Sequence, residues 1–272
     1  MKIIRRIFLY LILITGGIIF LYPFYWMTAA SLAPENEISD LTLIPSAITL
    51  NSYSQLLSKI PIGRSFFNSL LVASSVTFGV LVFGSMVGYA LSRMQFKGRN
   101  IIFFLIIFTM TIPFQITLIP QYIIMVELNW VDTYWALIIP YLMNSLSIIM
   151  FRQYFKSIPQ DLIDAARIDG CGEFTIVFKI LWPNSIPALV TVGIITFMAS
   201  WNEVLWPLIV IREEKLMTMP QLITLFAVGG RAESQLGVKL ASATLLALPI
   251  VLAYLFFQKY FIQSMISTGL KE

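Results

Sequence analysis

Six long apolar runs, separated by short polar stretches, set the limits on what this chain can become. They cover about residues 7–31, 66–92, 101–125, 133–151, 185–211 and 238–261 of 272. A helix needs roughly 20 apolar residues to cross the hydrocarbon core of a bilayer. In lipid, every backbone N–H and C=O has to be satisfied within the span. Runs of this length suit helices and are too long for barrel strands. The sequence therefore predicts an all-α polytopic membrane helix bundle with six transmembrane helices, residues 1–272 forming a single transmembrane domain. The charged fraction, 12%, is about half that of a soluble domain, roughly 25%.

Several chemistries drop out at once. The chain has no histidine and one cysteine, Cys171. Histidine-based metal sites, Ser/His/Asp triads, histidine proton relays and an intramolecular disulfide are all excluded. No Gly-Lys dipeptide occurs, so there is no P-loop. If ATP drives this protein, another chain hydrolyses it. No metal site, catalytic residue or nucleic-acid surface is expected, and the net charge of +4 reads first as a topology signal.

The first run follows Lys2, Arg5 and Arg6 and ends in Tyr22, Phe24, Tyr25 and Trp26. It is too long for a signal-peptide core, and its far end resembles an interfacial aromatic belt, so an uncleaved span is expected. The second run contains Gly84 and Gly88, a spacing that lets membrane helices approach closely. Pro113, Pro120 and Pro140 fall inside runs, as hinges or as simple kinks. With both termini on one side, twelve of the eighteen Lys and Arg residues fall on the terminal side. Positive charge collects in the cytosol. The expectation is N-terminus and C-terminus cytosolic, with a cytosolic loop over 152–184.

Within that loop, Ser157–Pro183 is the longest polar interruption mid-chain. Ser157 and Gln160 have capping-box spacing, and Pro159 suits a first turn. Asp161 and Asp164 lie where a helix dipole favours negative charge. Ile158, Leu162, Ala165 and Ala166 are assigned to one face, and Gly170 is the expected stop. After Gly172, Phe174, Val177, Phe178 and Leu181 make a second helical stripe. Helix, glycine break, helix, with small residues at the centre, is the form of a docking element.

Asp164-Ala165-Ala166-Arg167-Ile168-Asp169-Gly170, then nine residues, then Ile180-Leu181-Trp182-Pro183, resembles the EAA loop. That loop marks the permease subunits of binding-protein-dependent ABC importers. Two departures stand out: Asp164 replaces the usual Glu, and Trp182 the usual Leu. The resemblance implies ATPase docking by Asp164, Ala165, Ala166, Asp169, Gly170, Phe174, Phe178, Ile180 and Pro183.

In the fifth run, Trp201-Asn202-Glu203-Val204-Leu205-Trp206-Pro207 contains the one acidic residue well inside a run, Glu203. A charge at bilayer depth costs roughly 2.5–3.5 kcal/mol on insertion scales and faces the bundle interior or a watery cavity. Trp201 and Trp206 offer faces for a sugar ring, with Asn202 beside them. The bland reading places Glu203 shallow at the interface and makes the tryptophans anchors. An ion-coupled secondary carrier using Glu203 is the rival function, though it leaves the 164–170 element unexplained.

This segment, with Asn68-Ser69-Leu70, Gly88-Tyr89-Ala90-Leu91-Ser92-Arg93, Ile112-Pro113-Phe114-Gln115 and Thr218-Met219-Pro220, is similar to carbohydrate-type permeases. The likeness runs from about 51 to 271 and is greatest to the second, six-helix permease of maltose-type systems. It implies a bacterial inner-membrane sugar importer. Its partners would be a second permease in a heterodimer, a cytosolic P-loop ATPase dimer that holds the Mg-ATP, and an extracytoplasmic sugar-binding protein. It further implies that the loop carrying Gly229, Gly230 and Arg231 reaches the binding protein, and that the sugar is held mainly by the other permease.

Overall fold

A computed structural model describes residues 2–38, 44–228 and 235–269. Among these the regular structure is helical. In chain order the helices are α1 (Lys2–Ser31), α2 (Glu35–Ile38), α3 (Asn51–Lys59), α4 (Ile62–Arg93), α5 (Arg99–Thr109), α6 (Phe114–Glu127) and α7 (Tyr134–Ile138). There follow α8 (Ser145–Ser157), α9 (Gln160–Ile168), α10 (Glu173–Thr175), α11 (Trp182–Asn184) and α12 (Ile186–Trp201). The last are α13 (Leu205–Val210), α14 (Met219–Val228) and α15 (Leu236–Gly269).

Three described helices are long and apolar enough to cross a membrane unaided: Ile4–Ser31, Ile62–Arg93 and Leu236–Phe256. The expected runs 101–125 and 133–151 are bent pairs, and a third bent pair, Glu173–Asn184 with α12, starts twelve residues ahead of the expected run 185–211, for up to six spans by length and composition; the run 185–211 itself is α12 and α13, parted at residues 202–204. The run 101–125 is α5 and α6 meeting at 103°. Pro113 causes the break: it has no N–H to donate, and it drives Ile112 away from helical geometry. The run 133–151 bends by 41° just past Pro140. There Asn144 starts α8 by accepting the Ser147 N–H at 3.0 Å. Glu173–Asn184 meets α12 at 91°. Pro183, lacking an N–H, follows a π-helical stretch over Ile176–Leu181.

The chain divides into two compact units, Met1–Gly63 with Leu222–Val251, and Arg64–Gln221 with Leu252–Glu272. In the first, Ala30, Ala33 and Ile38 form a small core with Trp26 and Leu240. The Glu35 carboxylate accepts the Gly237 N–H at 3.2 Å, and Ser31 Oγ pairs with Tyr53 Oη at 2.8 Å. The length of α1 is exposed and apolar from Ile7 to Ile14, as a lipid-facing helix requires.

The second unit holds the main core, built around α4 and α8. Their contact is close because α4 has Gly84 and Gly88 where they meet. A Cβ on Gly88 would sit 2.7 Å from Phe151 Cβ and 3.0 Å from the Arg152 backbone N. Phe151 and Phe155, fully buried, stack with centroids 5.6 Å apart. At the N-terminal end of α4, buried Asn68 donates to the carbonyls of Lys215 and Met217, both at 3.0 Å. Its Oδ1 accepts from Tyr134 Oη at 2.7 Å.

Candidate functional site

The loop that interrupts the apolar pattern folds as expected in outline and differently at its start. Ser157 ends α8 instead of capping the next helix: its hydroxyl donates to the Tyr154 carbonyl at 2.7 Å. Proline explains the shift. Pro159 forces Ile158 into an extended conformation (φ −74°, ψ 136°), which closes one helix before α9 opens. Gly170 does stop α9, at φ +78°, a left-handed conformation that suits glycine.

Two residues of α4, four apart and therefore on one face, hold this loop. The Arg93 guanidinium donates to the Phe155 carbonyl at 2.5 Å and to the Ile158 carbonyl, and it reaches Gln160 Oε1 at 2.7 Å. It thereby satisfies carbonyls that the end of α8 leaves without a helical partner. Tyr89 Oη donates to Glu173 Oε2 and accepts from Arg167 at 3.2 Å. Arg167 closes the triangle with Glu173 at 3.2 Å. The Tyr89 hydroxyl, with help from Arg167, holds the Glu173 carboxyl below its ordinary value. Trp182 adds a third link from its indole N–H to Ser85 Oγ at 3.0 Å, which gives the departure at that position a structural use.

One ion pair of the loop is thus tied to α4, while Asp161, Asp164 and Asp169 stay in solvent beside an exposed set of apolar side chains. Of the face assigned to Ile158, Leu162, Ala165 and Ala166, the structure buries Ile158 and Ala166, with Ile163, in the core, so Ala166 is not open to a docking partner. Leu162 and Ala165 face outward, with Ile168 86% and Phe174 67% exposed. Asp164, Asp169, Gly170 and Pro183 are exposed too, while Phe178 and Ile180 are half-buried. Leu162 and Ile168 were not among the expected docking residues. Their signal was present: 162, 165 and 168 recur every three residues along α9.

The second feature is a cavity of about 270 Å³ within the second unit, walled by α4, α7, α8, α12 and the segment after α12. Glu203 lines it, and one carboxylate oxygen accepts the Trp206 N–H at 3.1 Å. The polar lining also includes Tyr141, Asn144, Thr196, Ser200 and Thr218. Sequence reasoning missed these five, although Thr196, Ser200 and Glu203 form an i, i+4, i+7 polar stripe.

The two tryptophans part company: Trp206 lines the cavity with Glu203, and Trp201 does not. Trp201 is buried, stacked on Phe197 (5.8 Å, 20°) and met edge-on by Phe66. Trp206 is fully buried and donates its indole N–H to the Ala136 carbonyl at 2.8 Å. Asn202 is exposed and closes α12 by donating to the Met198 carbonyl at 2.9 Å. Gly229, Gly230 and Arg231 lie outside the described residues.

Residues 80–267 match the family described as the binding-protein-dependent transport system inner membrane component. The chain belongs to this family. It is 35% identical to the arabinooligosaccharides transport system permease protein AraQ of Bacillus subtilis (strain 168), over 98% of this chain and 96% of that one. It is 28% identical to the sn-glycerol-3-phosphate transport system permease protein UgpE of Yersinia enterocolitica, over 96% of each. A solved bacterial ABC transporter involved in the import of the acidic polysaccharide alginate superimposes with TM-score 0.82 at 25% identity, over 95% of this chain and 96% of that chain. This permease is therefore a multi-pass inner-membrane transport component and not an enzyme. It acts in ATP-driven, binding-protein-dependent import, and the ion-coupled carrier reading has no support.

Proposed function

We propose that this permease forms half of the translocation path of a saccharide importer and is driven by a cytosolic ATPase docked on residues 157–183. The observation that carries the coupling is the exposed apolar face of Leu162, Ala165, Ile168 and Phe174 on a loop fastened to α4. Uncovered apolar surface of this kind on a polar loop marks a protein contact. Asp164, Asp169 and Gly170 rim that face. In this reading the loop and both termini are cytosolic, in keeping with the distribution of Lys and Arg. A second permease completes the path, and an extracytoplasmic binding protein delivers substrate. The relative named for arabinooligosaccharides supports the substrate class.

The test is co-expression with the partner subunits, purification, and ATP-driven uptake of arabinobiose and maltose into vesicles. Ile168→Asp and Phe174→Asp should each lower ATPase co-purification at least about tenfold, since each buries a charge in an apolar contact, without altering the fold of the permease. Unchanged co-purification by both variants would remove the docking assignment. A wild-type complex that imports neither sugar would remove the substrate class.

A further inference from the structure

We infer that the end of the bundle beside the docking loop carries a site for the headgroup of an anionic phospholipid, formed where the turn between α4 and α5 meets the end of α8. Two contacts fix how α5 lies along α8. Thr109 Oγ1 pairs with Ser145 Oγ at 2.9 Å, and the Arg152 guanidinium carbon sits 3.6 Å from the centre of the Phe103 ring. The two helices therefore run antiparallel. That register places Arg99, one turn before Phe103, opposite Lys156, one turn after Arg152. Arg93 joins them from α4, because its guanidinium holds the carbonyls of Phe155 and Ile158, just before and after Lys156 in the chain. Four cations from three helices thus meet at one place, and Lys156 feels the charges of the other three.

Among the described residues the ion pairs join Arg167 to Asp164 and Glu173, so none of the four cations has a carboxylate partner. Asp164 shares a polar hollow with Arg93 and Arg99, but it is paired with Arg167 at 3.8 Å. Carbonyls aim the other guanidiniums without neutralising them: Arg99 donates to Met94 at 3.1 Å and Arg152 to Leu91 at 3.3 Å. Like charges gathered without a counter-charge repel, and a basic pocket between membrane helices is relieved by an anionic headgroup. Guanidinium forks suit phosphate in particular. A free phosphate would meet the charge alone. The surface running on from Arg99 is apolar: Ile101, Ile102, Phe104 and Leu105 are exposed, Phe104 by 67%, on one arm of the bent pair that starts at Arg99. A phosphate on the cations with chains along α5 is the arrangement of a phospholipid. A general excess of Lys and Arg on one side of the membrane accounts for the side on which these residues lie, but not for four of them converging.

Lipid titration of the assembled complex tests this. The complex is stripped of lipid in a nonionic detergent and titrated with phosphatidylglycerol, or with phosphatidylcholine of the same chains, and the first bound lipid is read by native mass spectrometry. Phosphatidylglycerol should half-saturate at a concentration at least about tenfold lower, because choline cancels the phosphate charge. Lys156→Gln, at an exposed position, should raise that concentration about fivefold, the worth of one cation at a membrane surface. Arg99→Gln should act similarly, and Lys156→Arg should keep the wild-type value. Neither Gln variant should move the phosphatidylcholine curve. Arg5→Gln, which removes an exposed cation outside the cluster, should leave both curves in place. Equal affinity for the two lipids would overturn the site, and so would phosphatidylglycerol binding that ignores both Lys156→Gln and Arg99→Gln, the result expected if the partner permease covers this face. An equal loss in Arg5→Gln would replace the cluster with a diffuse field and overturn it as well. Displacement of phosphatidylglycerol by inorganic phosphate at the same concentration would overturn the lipid as the source of the anion.

Discussion

The docking loop and the cavity are built on opposite plans. The loop ties one ion pair, Arg167 and Glu173, to Tyr89, keeps Asp161, Asp164 and Asp169 in solvent, and leaves Leu162, Ile168 and Phe174 bare. The cavity turns apolar side chains into its walls and leaves the hydroxyls of Tyr141 and Thr218 without partners. The loop's plan points to what is missing there, an apolar protein surface, whereas in the cavity Glu203 and Asn144 already accept the N–H groups of Trp206 and Ser147. The difference teaches that unmet need identifies a site better than residue type does. Of the two tryptophans near Glu203, alike by type, Trp201 is taken up by Phe197 and Phe66, whereas Trp206 lines the cavity with its indole N–H given to the Ala136 carbonyl.

One helix serves both regions. Val72 and Val76 of α4 face the cavity, and Tyr89 and Arg93 hold the loop. From residue 76 to 89 is about 20 Å at 1.5 Å per residue. The segment between includes Gly84 and Gly88, pressed on α8. The most damaging single change to this arrangement should be Gly88→Leu. A side chain there must displace Phe151 and the Arg152 backbone, an overpacking cost of about 3 kcal/mol. Thermal unfolding of the purified complex in detergent should show it as a large drop in midpoint. A wild-type midpoint would mean that α4 and α8 can separate, and the rod between the two regions would be lost.

Next in size is Arg93→Ala. It strips the Phe155 and Ile158 carbonyls and Gln160 of their donor, a loss of about 2–3 kcal/mol for charge-assisted bonds. The change should loosen the loop and leave the cavity intact. Hydrogen exchange should therefore rise over 157–170 and stay constant over 192–200. A uniform rise would show that the two regions melt together and that the comparison is false.

Much of this was legible in the sequence, for physical reasons that can be named. Helical spacing of Gly84 and Gly88 announced a close contact because only glycine leaves room for a backbone. The stop at Gly170 was readable because a left-handed residue favours glycine. The start of α9 was misread because the capping pattern of Ser157 and Gln160 ignores Pro159, whose effect on Ile158 outranks it. The bend at Pro113 was visible as a proline, but its size, 103°, depends on packing that no local pattern encodes. The cavity was invisible for the same reason: Tyr141, Asn144 and Thr218 are far from Glu203 along the chain and meet only in the fold.

A smaller effect separates backbone from surface at the loop's turn. Gly170 is at φ +78°, and a Cβ there would meet nothing within 4 Å. Gly170→Ala should cost about 1–2 kcal/mol by backbone strain alone, and Gly170→Asn less, because Asn tolerates this conformation. If Ala and Asn variants lose the ATPase equally, the partner's approach and not the turn is what demands glycine.

The smallest predicted effect is electrostatic. Glu173 is held below its ordinary value by the Tyr89 hydroxyl and Arg167. A depressed carboxylate stabilises the fold above its unfolded pKa, and that stabilisation fades as pH falls through the folded value. The Arg167–Glu173 pair should thus be intact at pH 7 and weaken below the usual glutamate range, about 4.3. Both side chains are more than a third exposed, so screening limits the pair to about 0.2–1 kcal/mol. Hydrogen exchange over 167–175 should be flat from pH 7 to about 4.3 and rise modestly below it, after correction for the intrinsic rate. Glu173→Gln should raise it at pH 7 and remove the change with pH. A Gln variant that keeps the wild-type profile would transfer the hold on this half of the loop to Trp182 and Ser85, and the inward charges would then be incidental to how the loop is fastened.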